Sequence, residues 1–292
     1  MDVKTALLTG STGGLGREVS QILAKDGWDL ILVNRDKEQA DQQIASLTEL
    51  FPDQKFDGYT ANLMDIEDVL KTAERIAVAH PKITALYNIA GLLTDKRILS
   101  PQNIEGHFAI NALAPYLLVR ALRPQLKAAG TPSSPSFIVN FSTSAVNSVK
   151  TLDPSKLVQP DTIGGLMDAY AKSKSVLNIM ACFLKDELLA DNIYIYSLDP
   201  GPTKTQMTNS NQGMPWFVRP LVPLLFGDAA KQAQKLVERV DAAVKSKQTA
   251  VFISNGKIKP NPPLANDTEI QTGVRTLMDN LIENSVPQEE AV

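Results

Sequence analysis

From its first residues to about residue 253, the chain alternates short apolar runs with longer stretches of helical periodicity. That alternation leaves few architectures open, because it is what a parallel sheet covered by helices on both faces requires. Seven strands are expected, near Thr5 to Thr9, Leu30 to Val33, Phe56 to Thr60, Ala85 to Asn88, Phe137 to Phe141, Ile193 to Leu198 and Ala250 to Ile253. Helices are expected at about 14 to 25, 36 to 50, 65 to 79, 103 to 128, 168 to 190 and 228 to 246. The first carries Leu15, Val19, Ile22 and Leu23 on one face, and the fifth carries Leu177, Met180, Leu184 and Leu188. No linker, charge block or repeat divides the 292 residues, so one α/β domain is expected over 1–292. Three segments fall outside the alternation: an insertion at 144–167, an excursion at about 203–227, and a proline-bearing extension at 255–292.

The balance of charge narrows the function. A net charge of -3, with Lys and Arg scattered, gives no reason to expect nucleic acid. There is no apolar run long enough to span a bilayer and no signal-peptide pattern, so a cytoplasmic protein is expected. The single cysteine, Cys182, excludes an internal disulfide, and His80 and His107 stand apart from any ligand-spaced cluster, so no metal is expected.

Thr9-Gly10-Ser11-Thr12-Gly13-Gly14-Leu15-Gly16 follows the first strand and opens the first helix. In that context a glycine-rich turn reads as a seat for a dinucleotide pyrophosphate. Gly10 permits the tight turn, the middle glycines admit the phosphates, and Gly16 lets helix and strand approach closely. The helix N-terminus supplies N–H groups and positive potential. The spacing reads either as G-x-x-x-G-x-G through Gly14 or as G-x-x-G-x-x-G through Gly13, and the turn alone does not choose. The second strand ends in Asn34-Arg35-Asp36, where an acid would accept bonds from an unphosphorylated ribose. A guanidinium at Arg35 pairs instead with a 2'-phosphate, so NADP(H) is expected, with NAD(H) as the alternative. In the competing reading Arg35 lies on a solvated helix entrance and Asp36 is a cap. Asn62, followed by Leu63, is placed either to meet the adenine or to form a turn.

Tyr170 and Lys174 lie one helical turn apart, on the same face. An ammonium beside a phenol favours the phenolate, which brings a group of ordinary pKa about 10 nearer to neutral pH. Tyrosine is then a usable general acid or base.

These residues together resemble the classical branch of the short-chain dehydrogenase/reductase family over roughly residues 3 to 254, and a doubly wound Rossmann fold follows from the resemblance. The matching residues are Thr9-Gly10-x-x-x-Gly14-x-Gly16, Asn88-Ile89-Ala90-Gly91, Asn111, Ser142-Thr143-Ser144, Tyr170-x-x-x-Lys174 and Pro200-Gly201-x-x-x-Thr205. Isoleucine at 89 departs from the usual asparagine. The resemblance implies reversible hydride transfer at a carbonyl or alcohol carbon. Tyr170 would exchange the proton, Lys174 would bind the nicotinamide ribose, and Asn111 would hold a relay water. Asn88, Ala90 and Gly91 would line the ribose path, and Pro200, Gly201, Thr203 and Thr205 the nicotinamide. The polarising hydroxyl falls on Thr143, and a shift of one residue would promote Ser142 or Ser144. The interval from Thr143 to Tyr170 is about twice the family's usual spacing, so the 144–167 loop must fold outward, as in retinol-dehydrogenase-like members.

The proline-broken apolar stretch from Met207 to Phe226 resembles the family's substrate lid and implies an apolar carbonyl or alcohol. The resemblance also implies a homodimer or homotetramer through the helices at 103 to 128 and 168 to 190. A non-catalytic NADP-sensing scaffold is the competing function, and the joint presence of Tyr170, Lys174 and Asn111 argues against it.

Overall fold

The computed structural model describes residues 3–160, 166–201 and 228–285. Thr203, Thr205 and the expected lid lie outside the described residues, as does the 161–165 part of the insertion. One sheet of eight strands runs β3-β2-β1-β4-β5-β6-β7-β8. Its strands are β1 (Thr5–Thr9), β2 (Asp29–Asn34), β3 (Phe56–Thr60), β4 (Ala85–Asn88), β5 (Ser136–Phe141), β6 (Ile193–Leu198), β7 (Val251–Ser254) and β8 (Lys257–Lys259). The first seven are parallel, as the apolar runs predict; β8 is antiparallel to β7 and was not expected. Its Lys-Ile-Lys sequence is exposed along its length and carries no apolar run to announce it.

Helices α1 (Gly14–Lys25), α2 (Lys37–Leu50) and α7 (Ala229–Lys245) cover one face of the sheet. The other face is covered by α3 (Ile66–Ala79), α4 (Gly106–Phe108), α5 (Ala114–Ala129) and α6 (Leu166–Ala190). Each face has its own core, centred on Leu8, Val19 and Leu23 on one side and on Ile138, Leu117 and Met180 on the other. Helix starts follow local chemistry: Asp36 accepts from Gln39 N to begin α2, and Asp65 accepts from Glu67 N to begin α3. The expected helix at 103 to 128 is broken. Glu105 caps the short α4, a π-helical turn spans Ala109–Leu113, and α5 follows. The strand order reverses between β1 and β4, and their carboxyl ends open a crevice there.

The 255–292 extension, read from sequence as lying outside the alternation, contributes a further helix, α8 (Thr268–Glu283). Asp267 caps it through Glu269 N and Ile270 N, and Val274 and Met278 are fully buried beneath it. The Tyr116 hydroxyl on α5 donates to Asp279, and Arg275 reaches Glu187 on α6 at 3.6 Å while lying over the Phe183 ring. Thus α8 lies across the α5–α6 pair, the face from which contact with a second copy is expected.

Candidate active site

The glycine turn is fixed from three sides. Gly10 has φ of 68°, and a Cβ there would sit 2.9 Å from Ala90 Cα. A Cβ on Gly16 would sit 2.3 Å from the Gly10 carbonyl oxygen, so both positions require glycine. Gly13, the N-cap of α1, has extended backbone and would meet only Gly10 O, at 3.4 Å. From the strand side, Thr9 Oγ1 accepts from Ile89 N at 3.1 Å and Ala90 N at 3.2 Å, joining the turn to the segment after β4.

Ser11 and Asn34, expected to contact the cofactor, are buried behind the turn and hold it. Asn34 Nδ2 donates to Ser11 Oγ at 2.7 Å, and Asn34 Oδ1 accepts from Thr12 N at 3.2 Å. Gln43 completes the bracket, accepting from Ser11 Oγ at 2.8 Å and donating to Ser11 O at 3.0 Å. Sequence reasoning missed Gln43. Its signal was there: Ala40, Gln43 and Leu47 make one buried helical stripe with a single polar member. Thr12, Gly13 and Gly14 remain partly exposed, whereas Leu15 is buried in the core of its face.

Arg35 is exposed at the end of β2, and Asp36 beside it caps α2. The Gln39 N–H bond holds the Asp36 carboxyl below its usual range. A second cation, Arg17, also missed from sequence, places its guanidinium 3.4 Å from Thr12 O. Asn62 forms a turn, accepting from Met64 N at 3.2 Å, and Leu63 packs against the core. Asn88 donates across to Asn140 Oδ1 at 2.8 Å and so ties β4 to β5.

Four segments converge beyond the ends of β4 and β5. A Cβ on Gly91 would lie 3.2 Å from Asn111 Oδ1 and 3.5 Å from Lys174 Nζ, so the backbone passes directly beside both side chains. Asn111, fully buried in the π-helical turn, grips Leu92 from two sides. Its Oδ1 accepts from Leu92 N at 2.7 Å, and its Nδ2 donates to Leu92 O and Ser173 Oγ, both at 3.0 Å. Both amide hydrogens are used, while one lone pair on Oδ1 is left over. Such turns displace a side chain from the regular helical track and recur at functional sites. Ser173 donates onward to Tyr170 O at 2.8 Å.

Lys174 donates to Phe141 O at 2.5 Å, and burial pushes its ammonium down to about 7. Tyr170 is half-buried; burial first and the Asp199 carboxylate second push its phenol up to about 12. The local expectation that the ammonium favours the phenolate is therefore corrected. The Lys174 amine is turned to a backbone carbonyl, and the phenol is held protonated.

Among the candidate hydroxyls, Ser142 is buried and donates to Asn178 Oδ1 at 2.9 Å. Thr143 is half-exposed, and its Oγ1 accepts from Ala145 N at 3.3 Å, an acceptor role that leaves the O–H proton free. Ser144 is exposed. Asp199, Pro200 and Gly201 follow β6, with Gly201 at φ of 72°. Among the described residues no group of His, Cys, Asp and Glu could hold a metal ion, and no helix is long and apolar enough to cross a membrane.

The family described as short chain dehydrogenase matches residues 4–215. The chain belongs to the short-chain dehydrogenase/reductase family. It is similar to polyprenol dehydrogenase of Danio rerio, 26% identical over 277 residues that cover 92% of this chain and 83% of the relative. An oxidoreductase of Penicillium decumbens, calI, is 31% identical over 68% of this chain and 58% of its own length. Human retinol dehydrogenase 13 is 24% identical over 70% of this chain and 60% of its own length. The chain thus spans less than two thirds of these last two. Among solved structures, an NADPH-bound carbonyl reductase from chicken fatty liver superposes with a TM-score of 0.68 at 20% identity, covering 89% of this chain and all of that one. The RhlG/NADP complex of Pseudomonas aeruginosa gives 0.65 at 19%, covering 85% and 93%; at these identities the likeness is one of fold. As a member of the family, the chain is a nicotinamide-dependent oxidoreductase working between CH–OH and C=O, within the retinol-dehydrogenase-like part of the family.

Proposed function

We propose that the chain is an NADP(H)-dependent reductase or dehydrogenase of an apolar carbonyl or alcohol, with Tyr170 as its acid and base. The observation that carries this reading is the convergence of Gly91, Asn111 and Lys174 beside the ends of β4 and β5. The glycine cradle supports a dinucleotide, since a Cβ at Gly10 or Gly16 would fill the space where the turn folds tightly. Arg35 and Arg17, both exposed near the turn, suit a 2'-phosphate and support NADP(H) over NAD(H).

When bound, the dinucleotide supplies or accepts the hydride. In reduction, Tyr170 gives its phenolic proton to the carbonyl oxygen, and the Thr143 hydroxyl donates a hydrogen bond to that same oxygen. Lys174, hydrogen-bonded to Phe141 O, presents its remaining protons to the ribose. Asn111 holds the Leu92 segment against α6 through Ser173, and its spare lone pair can seat a relay water. The apolar substrate class draws on the sequence between Met207 and Phe226, and on relatives named for polyprenol and retinol.

Tyr170→Phe tests the assignment, because it removes one hydroxyl and leaves the ring. Turnover of a panel of aldehydes and ketones should fall at least about a hundredfold, with the Kd for NADPH nearly unchanged. Undiminished turnover would remove Tyr170 from the mechanism. Tight NADPH binding by the wild type, without oxidation by any carbonyl, would favour the sensing scaffold.

A further inference from the structure

Asp199 is a buried acid just past the carboxyl end of β6, close enough to Tyr170 to act on its phenol, and nothing in the mechanism so far uses it. It follows the last residue of β6 and is 4% exposed. Its backbone N–H is spent on Ile253 O at 2.8 Å. One side-chain oxygen accepts from Gly201 N at 2.9 Å, and the other accepts from Ser254 Oγ at 3.1 Å. Two accepted bonds, one per oxygen, are the pattern of a carboxylate. Among the described residues no Lys, Arg or His forms an ion pair with it. Burying an unpaired negative charge is costly, and an uncharged serine or asparagine would hold the Pro200–Gly201 turn as well. A charge placed there is therefore explained better by something positive that enters the crevice than by the turn.

We propose that Asp199 sets the direction of catalysis by favouring the oxidised, cationic nicotinamide ring over the reduced, neutral one. This inference rests on the nicotinamide-site reading above. The oxidised ring carries a positive charge that the reduced ring lacks, so a fixed carboxylate beside the ring end of the crevice lowers the free energy of the oxidised state alone. In carbonyl reduction the hydride and its electron pair pass to the carbonyl carbon, the phenolic proton of Tyr170 passes to the oxygen, and the ring is left cationic. Asp199 thus draws the bound equilibrium towards alcohol and oxidised cofactor. The same carboxylate acts on Tyr170, where it adds to burial in keeping the phenol protonated and ready to donate. Both effects point towards reduction.

Isothermal titration of NADP+ and NADPH against the wild type and Asp199→Asn tests the inference without turnover. Asparagine is nearly isosteric and keeps an acceptor for Gly201 N. The ratio of the NADPH Kd to the NADP+ Kd should fall by on the order of tenfold, because only the cationic ring loses an attraction. Ser254→Ala, which removes one bond to the carboxylate but keeps the charge, should leave the ratio where it is. Should Asp199→Asn fail to fold, Asp199→Ser, whose hydroxyl can still accept from Gly201 N, carries the same expectation. An unchanged ratio would overturn the inference. So would equal weakening of both cofactors, which would make Asp199 a support for the turn, or an equal shift in Ser254→Ala, which would credit the bond to β7. If the wild type binds neither cofactor, the nicotinamide-site reading itself is what fails.

Discussion

Burial holds the Lys174 ammonium at about 7, against 10.5 for a free lysine. Between those values the unfolded chain keeps a proton that the folded chain has released, so folding gains stability as pH rises through that window. Below about pH 7 both states are protonated and the penalty is whole. Lys174→Met lacks this titration; in urea melts of cofactor-free protein, the wild type should gain on the variant between pH 7 and pH 9. A constant difference would mean that the amine is not desolvated as the structure has it. The two neighbouring hydroxyls separate in the same manner. If Thr143 is the polarising hydroxyl proposed above, Thr143→Val should lower turnover by about a hundredfold with little change in stability, because its O–H donates to no protein group among the described residues. Ser142→Ala should cost about 1–3 kcal/mol in the urea melt, because Asn178 Oδ1 loses a buried donor, with a smaller loss of turnover. The sequence places the hydroxyl at Thr143 but leaves Ser142 and Ser144 one residue of register away, and only the packing of α6 against β5 shows that Ser142 is engaged by Asn178.

At the scale of single elements, sterics in the turn before α1 separate Gly10 and Gly16, which both spacings share and which cannot carry a side chain, from Gly13, which can. Gly16→Ala would drive a methyl group into the Gly10 carbonyl and should abolish NADPH binding, whereas Gly13→Ala has φ of -73° and room at 3.4 Å. Titration of both variants with NADPH should therefore show a large loss in the first and a loss below about threefold in the second, the cost of a slightly crowded anion seat. Most elements were legible in the sequence because strands buried on both faces read as unbroken apolar runs and their helices carry one apolar stripe. What was not legible is polar. The π-helical turn that aims Asn111 at Leu92, the Gln43 bracket and the Ser173 bridge are set by partners 19 to 62 residues away, and no local period records them.

Taken as a whole molecule, the described chain is closed on the side where its family resemblance predicts association. α8 buries Val274 and Met278 against α6, and around them Tyr116, Arg275, Glu187 and Asp279 form a polar rim that includes Arg120 and Arg123 of α5. A second copy approaching α6 from this side would meet α8 first. Light scattering of the intact protein should accordingly give the mass of one chain, and a mass of two or four chains would show that association uses another face. By itself the sequence determined the parallel sheet, its flanking helices, the glycine turn and the Tyr170–Lys174 pair, since each is encoded by neighbours a few residues apart. Tertiary structure alone decided which hydroxyl is buried and which is left partly exposed, where the Lys174 proton is directed, that Asp199 is buried just past the end of β6 and that α8 packs on α6 and bonds to α5. Each of these depends on the dielectric and hydrogen-bond surroundings that distant segments create when they pack together.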